Sequence, residues 1–288
     1  MALQSSGQIT LNDVNVELGN TGTDAITMGS AAVRDLFGVA SGEITMADGY
    51  GKSSVYIVDY SLNLTNSGSA CLSRTPSSGG NRKTWTFSLW LKRASTGNQH
   101  LLSSNGSSES TYIDFRFNAG DQLAIGHWNG GGLETNTSYT STSTWYHIVL
   151  ALDTTQSTST DRAKVYVNGS RVTNLSTGSG AFNHNGSYGV NNTSQHNIGV
   201  SPSANRYLNG YLADVNFVDG TALTPSSFGE TRDGSWEPIK YTGSYGTNGY
   251  FLDFVDSGNL GDDESGNGND WNENSITSSD QSGSSPTD

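Results

Sequence analysis

Apolar and polar positions follow two different periods along this chain, and the change falls near residue 53. After it the period is two. In "TWTFSLWLK", Trp85, Phe87, Leu89 and Leu91 share one face, while Thr84, Thr86, Ser88, Trp90 and Lys92 share the other. "YIDFRF" turns Ile113, Phe115 and Phe117 inward and Tyr112, Asp114 and Arg116 outward. "RAKVYVNG" sets Ala163, Val165 and Val167 against Lys164 and Tyr166 and ends in Asn168-Gly169, a strong hairpin signal. "GYLADVNFVDG" places Tyr211, Ala213, Val215 and Phe217 together, and "YFLDF" at 250–254 reads as a last strand. "WYHIVLALD" is apolar almost throughout, as in a strand covered on both faces. At least seven such strands between Gly-, Ser- and Asn-rich turns predict a mainly β, antiparallel two-sheet sandwich over 54–272. Beyond it, "SITSSDQSGSSPTD" predicts a polar tail or linker over 273–288.

Before residue 53 the period is helical. Three segments open with Ile-Thr followed by Leu or Met, at Ile9, Ile26 and Ile44. "LNDVNVELG" offers Asn12 or Asp13 as a cap, Val14 and Leu18 one turn apart, and Gly19 as a stop. "GSAAVRDLFG" repeats this with Ser30 as cap, Val33, Leu36 and Phe37 as a face, and Gly38 as terminator. Two helices this short are not stable alone in water. Residues 1–53 therefore read as a small α+β adaptor completed by a partner. Its apolar residues Ile9, Leu11, Val14, Leu18, Ile26, Met28, Val33, Leu36, Phe37, Ile44 and Met46 are expected to be buried against other chains.

A formal charge of −13 over 288 residues excludes nucleic acid as a partner, since phosphate requires Lys and Arg. The single cysteine, Cys71, excludes an intrachain disulfide and reads as a small buried residue. No apolar run reaches the roughly 20 residues of a membrane span, and "MALQSSGQIT" lacks the pattern of a secretory signal.

The segments "TWTFSLWLKR", "WYHIVLALD", "KVYVNGSRV", "IGV" and "LNGYLADVNFVDGTALTP" stand in the order of a laminin-G/pentraxin-like domain. Trp145, His147, Asp153, Tyr166, Asn168, Gly169, Gly210 and Asp214 match its pattern, and the resemblance covers about residues 55–272. It implies a concanavalin A-like jelly roll. "YFLDFVDSG" and "GDDESGNGNDW" resemble the family's opening strand and loop but stand at the other end. Too little chain follows for a second copy, so we read a circular permutation. "SSGQITLNDVNVELG…ITMGSAAVRDLFG" resembles the N-terminal segment of bacteriophage tail and virion structural proteins. That resemblance implies a tail fibre or appendage located on the virion. It also implies other tail proteins as partners, a homotrimer, and host cell-surface glycan as ligand. A virion spacer without ligand and a capsule depolymerase are the alternatives.

The chemistry of the chain argues against the depolymerase and for a non-enzyme. Retaining glycosidases need two carboxylates about 5 Å apart. No Glu-x-Asp-x-x-Glu strand occurs. Asp262, Asp263, Glu264, Asn267, Asn269 and Asp270 supply hard oxygens that could hold calcium, or that could satisfy their own turn. No other cofactor is implied, and the five histidines, His100, His127, His147, His184 and His196, are scattered. For sugar contact the candidates are Trp90, Tyr112, Asp114, Arg116 and Tyr166 on outward strand positions, with Trp128 and Tyr188 in loops. Plain packing of the sheet surface is the competing account of these side chains.

Overall fold

The computed structural model describes residues 3–21, 24–52, 56–65, 68–106, 108, 110–127, 131–177, 182–201, 206–232 and 234–288. The chain forms two units, Met1–Ile57 and Val58–Asp288, so the division falls four residues beyond the predicted one. No helix among the described residues is long and apolar enough to cross a membrane.

In the first unit, α1 spans Leu11–Glu17 and α2 spans Ala31–Phe37. The cap of α1 is Thr10 rather than Asn12 or Asp13. Asp13 has the reciprocal role: its Oδ2 accepts the Thr10 N–H at 2.7 Å, while Thr10 Oγ1 accepts the Asp13 N–H at 3.2 Å. Thr45 and Asp48 repeat this box at the turn Met46–Gly49, and Thr277 and Asp280 repeat it at Ser278–Asp280. Two of the three early Ile-Thr segments are therefore entries to helical turns. The middle one has no Asp three residues on, and there Ser30 caps α2. Gly38 closes α2 in the left-handed region at φ +72°.

The expectation that this unit's apolar residues await another chain is corrected. Ile9, Val14, Val33, Leu36 and Phe37 bury one another together with Leu3, and Leu18, Ile26, Met28, Ile44 and Met46 pack around them. Of the eleven predicted interface residues, Leu11 alone stays exposed. Short helices become stable here because their apolar faces meet within the unit.

The second unit is a sandwich of two antiparallel sheets. Its strands are β1 Ser61–Leu64, β2 Cys71–Arg74, β3 Thr84–Arg93, β4 Gln99–Ser104, β5 Ile113–Phe117, β6 Gln122–His127 and β7 Gly132–Ser138. They continue as β8 Tyr146–Asp153, β9 Ala163–Val167, β10 Ser170–Arg171, β11 Leu175–Thr177, β12 His196–Ile198, β13 Val200–Ser201 and β14 Arg206–Tyr207. The last are β15 Gly210–Asp219, β16 Gly229–Arg232, β17 Ser235–Pro238, β18 Tyr250–Leu252, β19 Asn272–Asn274 and β20 Gln281–Ser282. Sheet I has the order β10-β9-β8-β3-β15-β1-β20, with β18 also on β15; sheet II has the order β11-β7-β6-β5-β4-β12-β2-β19. Trp85, Phe87, Leu89 and Leu91 from sheet I meet Phe115, Phe117, Leu123 and Ile125 from sheet II in one core.

Two sequence expectations change here. A bulge between Ala213 and Asn216, with Asp214 at φ +46°, breaks the alternation of β15. Leu212 therefore enters the core in place of Tyr211, whose ring lies under the Lys92 ammonium instead. The predicted tail is built into the sandwich: Asn272–Asn274 pairs with β2, and Gln281–Ser282 pairs with β1. With β3 along one edge of β15, β18 and β1 share the other edge in tandem, opposite 215–217 and 210–212. One strand position is thus filled from both ends of the unit. Val58 and Thr287 close it, Thr287 Oγ1 donating to the Val58 carbonyl at 3.2 Å. This adjacency is what a permuted jelly roll requires.

Candidate functional site

The outer face of sheet I is covered by its own chain. Its outward residues Val149, Ala151, Tyr166 and Val218 are apolar, and Phe228, Leu223, Tyr241 and Tyr245 from the segment after β15 pack over them. A polar pin holds this cover. Trp236 Nε1–H donates to His147 Nδ1 at 2.9 Å, so the neutral ring carries its proton on Nε2 and donates it to Ser88 Oγ at 2.9 Å. Trp90 stacks on the same ring at 4.9 Å. Burial pushes the His147 imidazole down to about 3, so it is neutral at ordinary pH. A Cβ at Gly169 would lie 2.5 Å from the Trp236 ring, which explains why the hairpin ends in glycine.

Two predicted sugar contacts are therefore corrected. Trp90 and Tyr166 do point outward from sheet I, but the cover buries them. Tyr188 is also corrected: it is 1% exposed, packs edge-on to Phe182 at 4.8 Å, and accepts the Asn183 N–H at 2.7 Å. None of the three rings offers a face to a ligand. Trp128 lies outside the described residues.

Sheet II differs. Its outward row runs Ser73–Asn197–Ser103–Asp114 across β2, β12, β4 and β5. At the β5 end, Tyr112, Asp114 and Arg116 come together as the alternation predicted. Arg116 Nη1 meets Asp114 Oδ2 at 2.5 Å, and His100 Nδ1 lies 3.6 Å from the same oxygen. Burial raises the Asp114 carboxyl, against the lowering pull of Arg116. Burial, with Arg116 and Arg206 adding to it, pushes His100 down to about 3, and burial with Asp114 pushes the Tyr112 phenol up to about 12. Gly126 makes room, since a Cβ there would stand 2.6 Å from Asp114 Oδ1. Arg116 is held by Asp114, while both ring nitrogens of His100 are buried without a hydrogen-bond partner among the described residues.

At the other end of the row lies a groove of about 400 Å³, within the size range of ligand sites. Ser73 and Asn197 are buried in its lining, with Cys71 beside them. Val200 and the half-buried Tyr207, from the β13–β14 ribbon, form part of the wall. Asn105 and Gln195 lie at one margin, joined at 3.3 Å, and Asn274 with Ser275 at another. Asn274 Nδ2 donates to Ser73 Oγ at 3.0 Å, which ties the edge strand to the row. Sequence reasoning missed this groove because its strands are two to four residues long and two of its residues lie in the segment read as a tail. Among its described lining residues there is no carboxylate, whereas a retaining glycosidase needs two.

The loop 261–271 is a hydrogen-bonded turn. Asp263 Oδ1 accepts the Phe251 and Ser265 N–H groups at 2.9 Å each, and its Oδ2 accepts the Asn269 N–H at 2.8 Å. Asp270 Oδ1 accepts the Asp263 N–H at 3.1 Å, and Asn267 and Asn269 donate to the Gly249 carbonyl at 2.9 and 2.8 Å. The Asp262 carboxyl is raised by burial and then by Asp270, and that of Glu264 by Asp253 and then by burial. Among the described residues no three His, Cys, Asp or Glu side chains converge as a metal site would need. As folded, the Asp263 and Asp270 oxygens accept backbone N–H groups. Between the sheets, Tyr250, Trp271 and His196 line a chamber of about 20 Å³, room for a water and nothing larger.

No curated protein matches this chain. Among solved structures it is similar to a native heptameric SAP-like pentraxin from Limulus polyphemus, at 16% identity over 59% of this chain and 80% of that one, with a TM-score of 0.42. It is also similar to domain 4 of a Geobacillus stearothermophilus arabinanase solved in complex with arabinotriose, at 18% identity over 51% and 65%, TM-score 0.37. A sialidase carbohydrate-binding module of Ruminococcus gnavus, bound to α2,3-sialyllactose, matches at 11% identity over 53% and 85%, TM-score 0.36. A laminin-G-type family model matches residues 64–227, more than half of the chain, and by that match the chain belongs to the concanavalin A-like lectin/glucanase superfamily.

Proposed function

We propose that the sandwich is a non-catalytic glycan-binding module whose site is the groove on the outer face of sheet II. The carrying observation is the groove's described lining: amides, hydroxyls and a tyrosine ring beside Cys71 and Val200, with no carboxylate among them. Amide and hydroxyl groups each donate and accept, as sugar hydroxyls do. An aromatic ring offers an apolar platform to a sugar's C–H face. Binding without turnover is the chemistry this lining supports.

The finer reading is that of a phage tail fibre or appendage. It rests on the resemblance of the first fifty-two residues to virion structural proteins. In that reading the first unit docks to other tail proteins, the protein acts as a homotrimer, and repeated weak sugar contacts add up to firm attachment to the host surface. A glycan array probed with the whole chain and with Asn197→Ala tests the site. Binding that the substitution abolishes supports it. Silence across host polysaccharides sinks it and favours a ligandless spacer. Deleting the first unit tests the docking role, and a truncated chain that still joins the particle overturns it.

A further inference from the structure

Resting on the reading of the groove as a glycan site, we infer that it selects neutral, hydroxyl-rich oligosaccharides and excludes acidic ones. A sugar carboxylate or sulfate has to be matched by a cation or by several obligate donors. The groove has neither. Asn105, Gln195, Asn197 and Asn274 present a carbonyl beside each amide N–H₂, so every donor there has an acceptor next to it. None of the described lining residues is cationic.

The arginines nearest the groove are directed away from it. Arg116, farther along the polar row, is held by Asp114 at 2.5 Å. Arg74 follows Ser73 in β2 and so points to the opposite face, where its guanidinium reaches Asn269 Oδ1 and its surroundings include Tyr250, Asp263 and Asp270. Arg206 precedes Tyr207 in β14, so it points to the other side of that strand; it is exposed, and its charge is felt at His100, toward the Asp114 end of the face. The chain's formal charge of −13 repels a polyanion. Nothing in the groove compensates for that repulsion, whereas a neutral oligosaccharide is indifferent to it.

Titration calorimetry of the full chain tests this with two matched sets of probes at low and high salt. One set is neutral pentose and hexose oligosaccharides; the other is uronic-acid-containing and sialylated oligosaccharides. The neutral set is expected to bind with a salt-independent Kd, and acidic analogues at least ~10-fold more weakly. Tyr207→Ala and Asn197→Ala should each remove the neutral binding, so a folding defect in one variant does not leave the site unexamined. Asn274→Lys, at an exposed position, should bring acidic analogues up by about tenfold in low salt. Tighter binding of an acidic sugar that is lost in Asn197→Ala would overturn the neutral class and leave the groove standing as a glycan site. No gain in Asn274→Lys would overturn the claim that missing cations set the preference. Absence of binding by every probe would take down the site and this inference together.

Discussion

The two outer faces of the sandwich start from the same strand geometry and meet water in opposite ways. On sheet I the outward positions of β8 and β15 include Val149, Ala151 and Val218, and the chain covers them with Phe228, Tyr241, Tyr245 and Trp236. On sheet II the outward row is Ser73, Asn197, Ser103 and Asp114, and at its β2 end the face stays open as a groove. An apolar outward face costs free energy in water at roughly 25 cal/mol per Å², so it must be covered. A polar row does not need a cover, and it keeps its hydrogen-bonding groups for a ligand. Stability and recognition are thus separated onto opposite sides of one core.

The largest effect that would break this division is expected on the covered face. Phe228 is 2% exposed among Val149, Ala151, Tyr166 and Val218. Phe228→Ala should cost about 3–5 kcal/mol of unfolding free energy in urea titration. If it instead weakened sugar binding at unchanged stability, the faces would have been assigned the wrong way round.

Acid should act next. His147, in the cover's pin, is depressed to about 3, and His100 to about 3 and His196 to about 4 are depressed by the same cause, burial. Unfolded histidines take up protons near pH 6.5, while these folded ones do not. Between about pH 6.5 and the folded values the unfolded state binds more protons, so stability falls as pH falls. It is full above 6.5 and is lost progressively down toward pH 3–4. Thermal melts across that window should show the decline, and His147→Gln should flatten part of it. A melting temperature that rises on acidification would contradict the neutral pin.

On the open face the readout changes from folding to affinity. Tyr207→Ala should weaken glycan binding about tenfold or more, equivalent to about 1.4 kcal/mol, with a stability change near the ±0.5 kcal/mol of ordinary surface positions. Calorimetry and a melt on the same sample separate the two quantities. A large loss of stability with intact binding would make the ribbon a cover like that on sheet I.

Much of this was readable in the sequence, and the misses share a cause. The unbroken apolar run in "WYHIVLALD" announced a strand covered on both faces, and it is one. The same run shows why Trp90, its neighbour on β3, is buried: whatever covers β8 also covers the residue beside it. Alternation alone separates inward from outward, and it does not say whether outward means exposed. Tyr112, Asp114 and Arg116 were brought together because their strand alternates cleanly. The groove was hidden because "CLSR", "HNI" and "NEN" are too short for any period to show. The first unit's core was misplaced for a different reason. The apolar residues were legible, but pattern alone does not say whether they close on one another or on a second chain, and here they close on one another.

The smallest expected effect tests the comparison from its least obvious corner. Lys164 also points outward from β9, yet it lies outside the cover and pairs with Asp161 at 3.5 Å, both side chains about a third exposed. Exposed pairs of this kind contribute between about 0 and 1 kcal/mol, because solvent screens them and ordering two long side chains offsets the attraction. Lys164→Ala should therefore shift the unfolding free energy by less than about 0.5 kcal/mol and leave glycan affinity unchanged. Stability would be read from urea titration and affinity from calorimetry. A drop in affinity would mean that sheet I also meets the ligand. A drop in stability comparable to Phe228→Ala would mean that the cover extends to β9 through charge as well as through apolar contact. With neither change, what buries the face is the apolar packing on β8 and β15, and position on the outside of sheet I is by itself neutral.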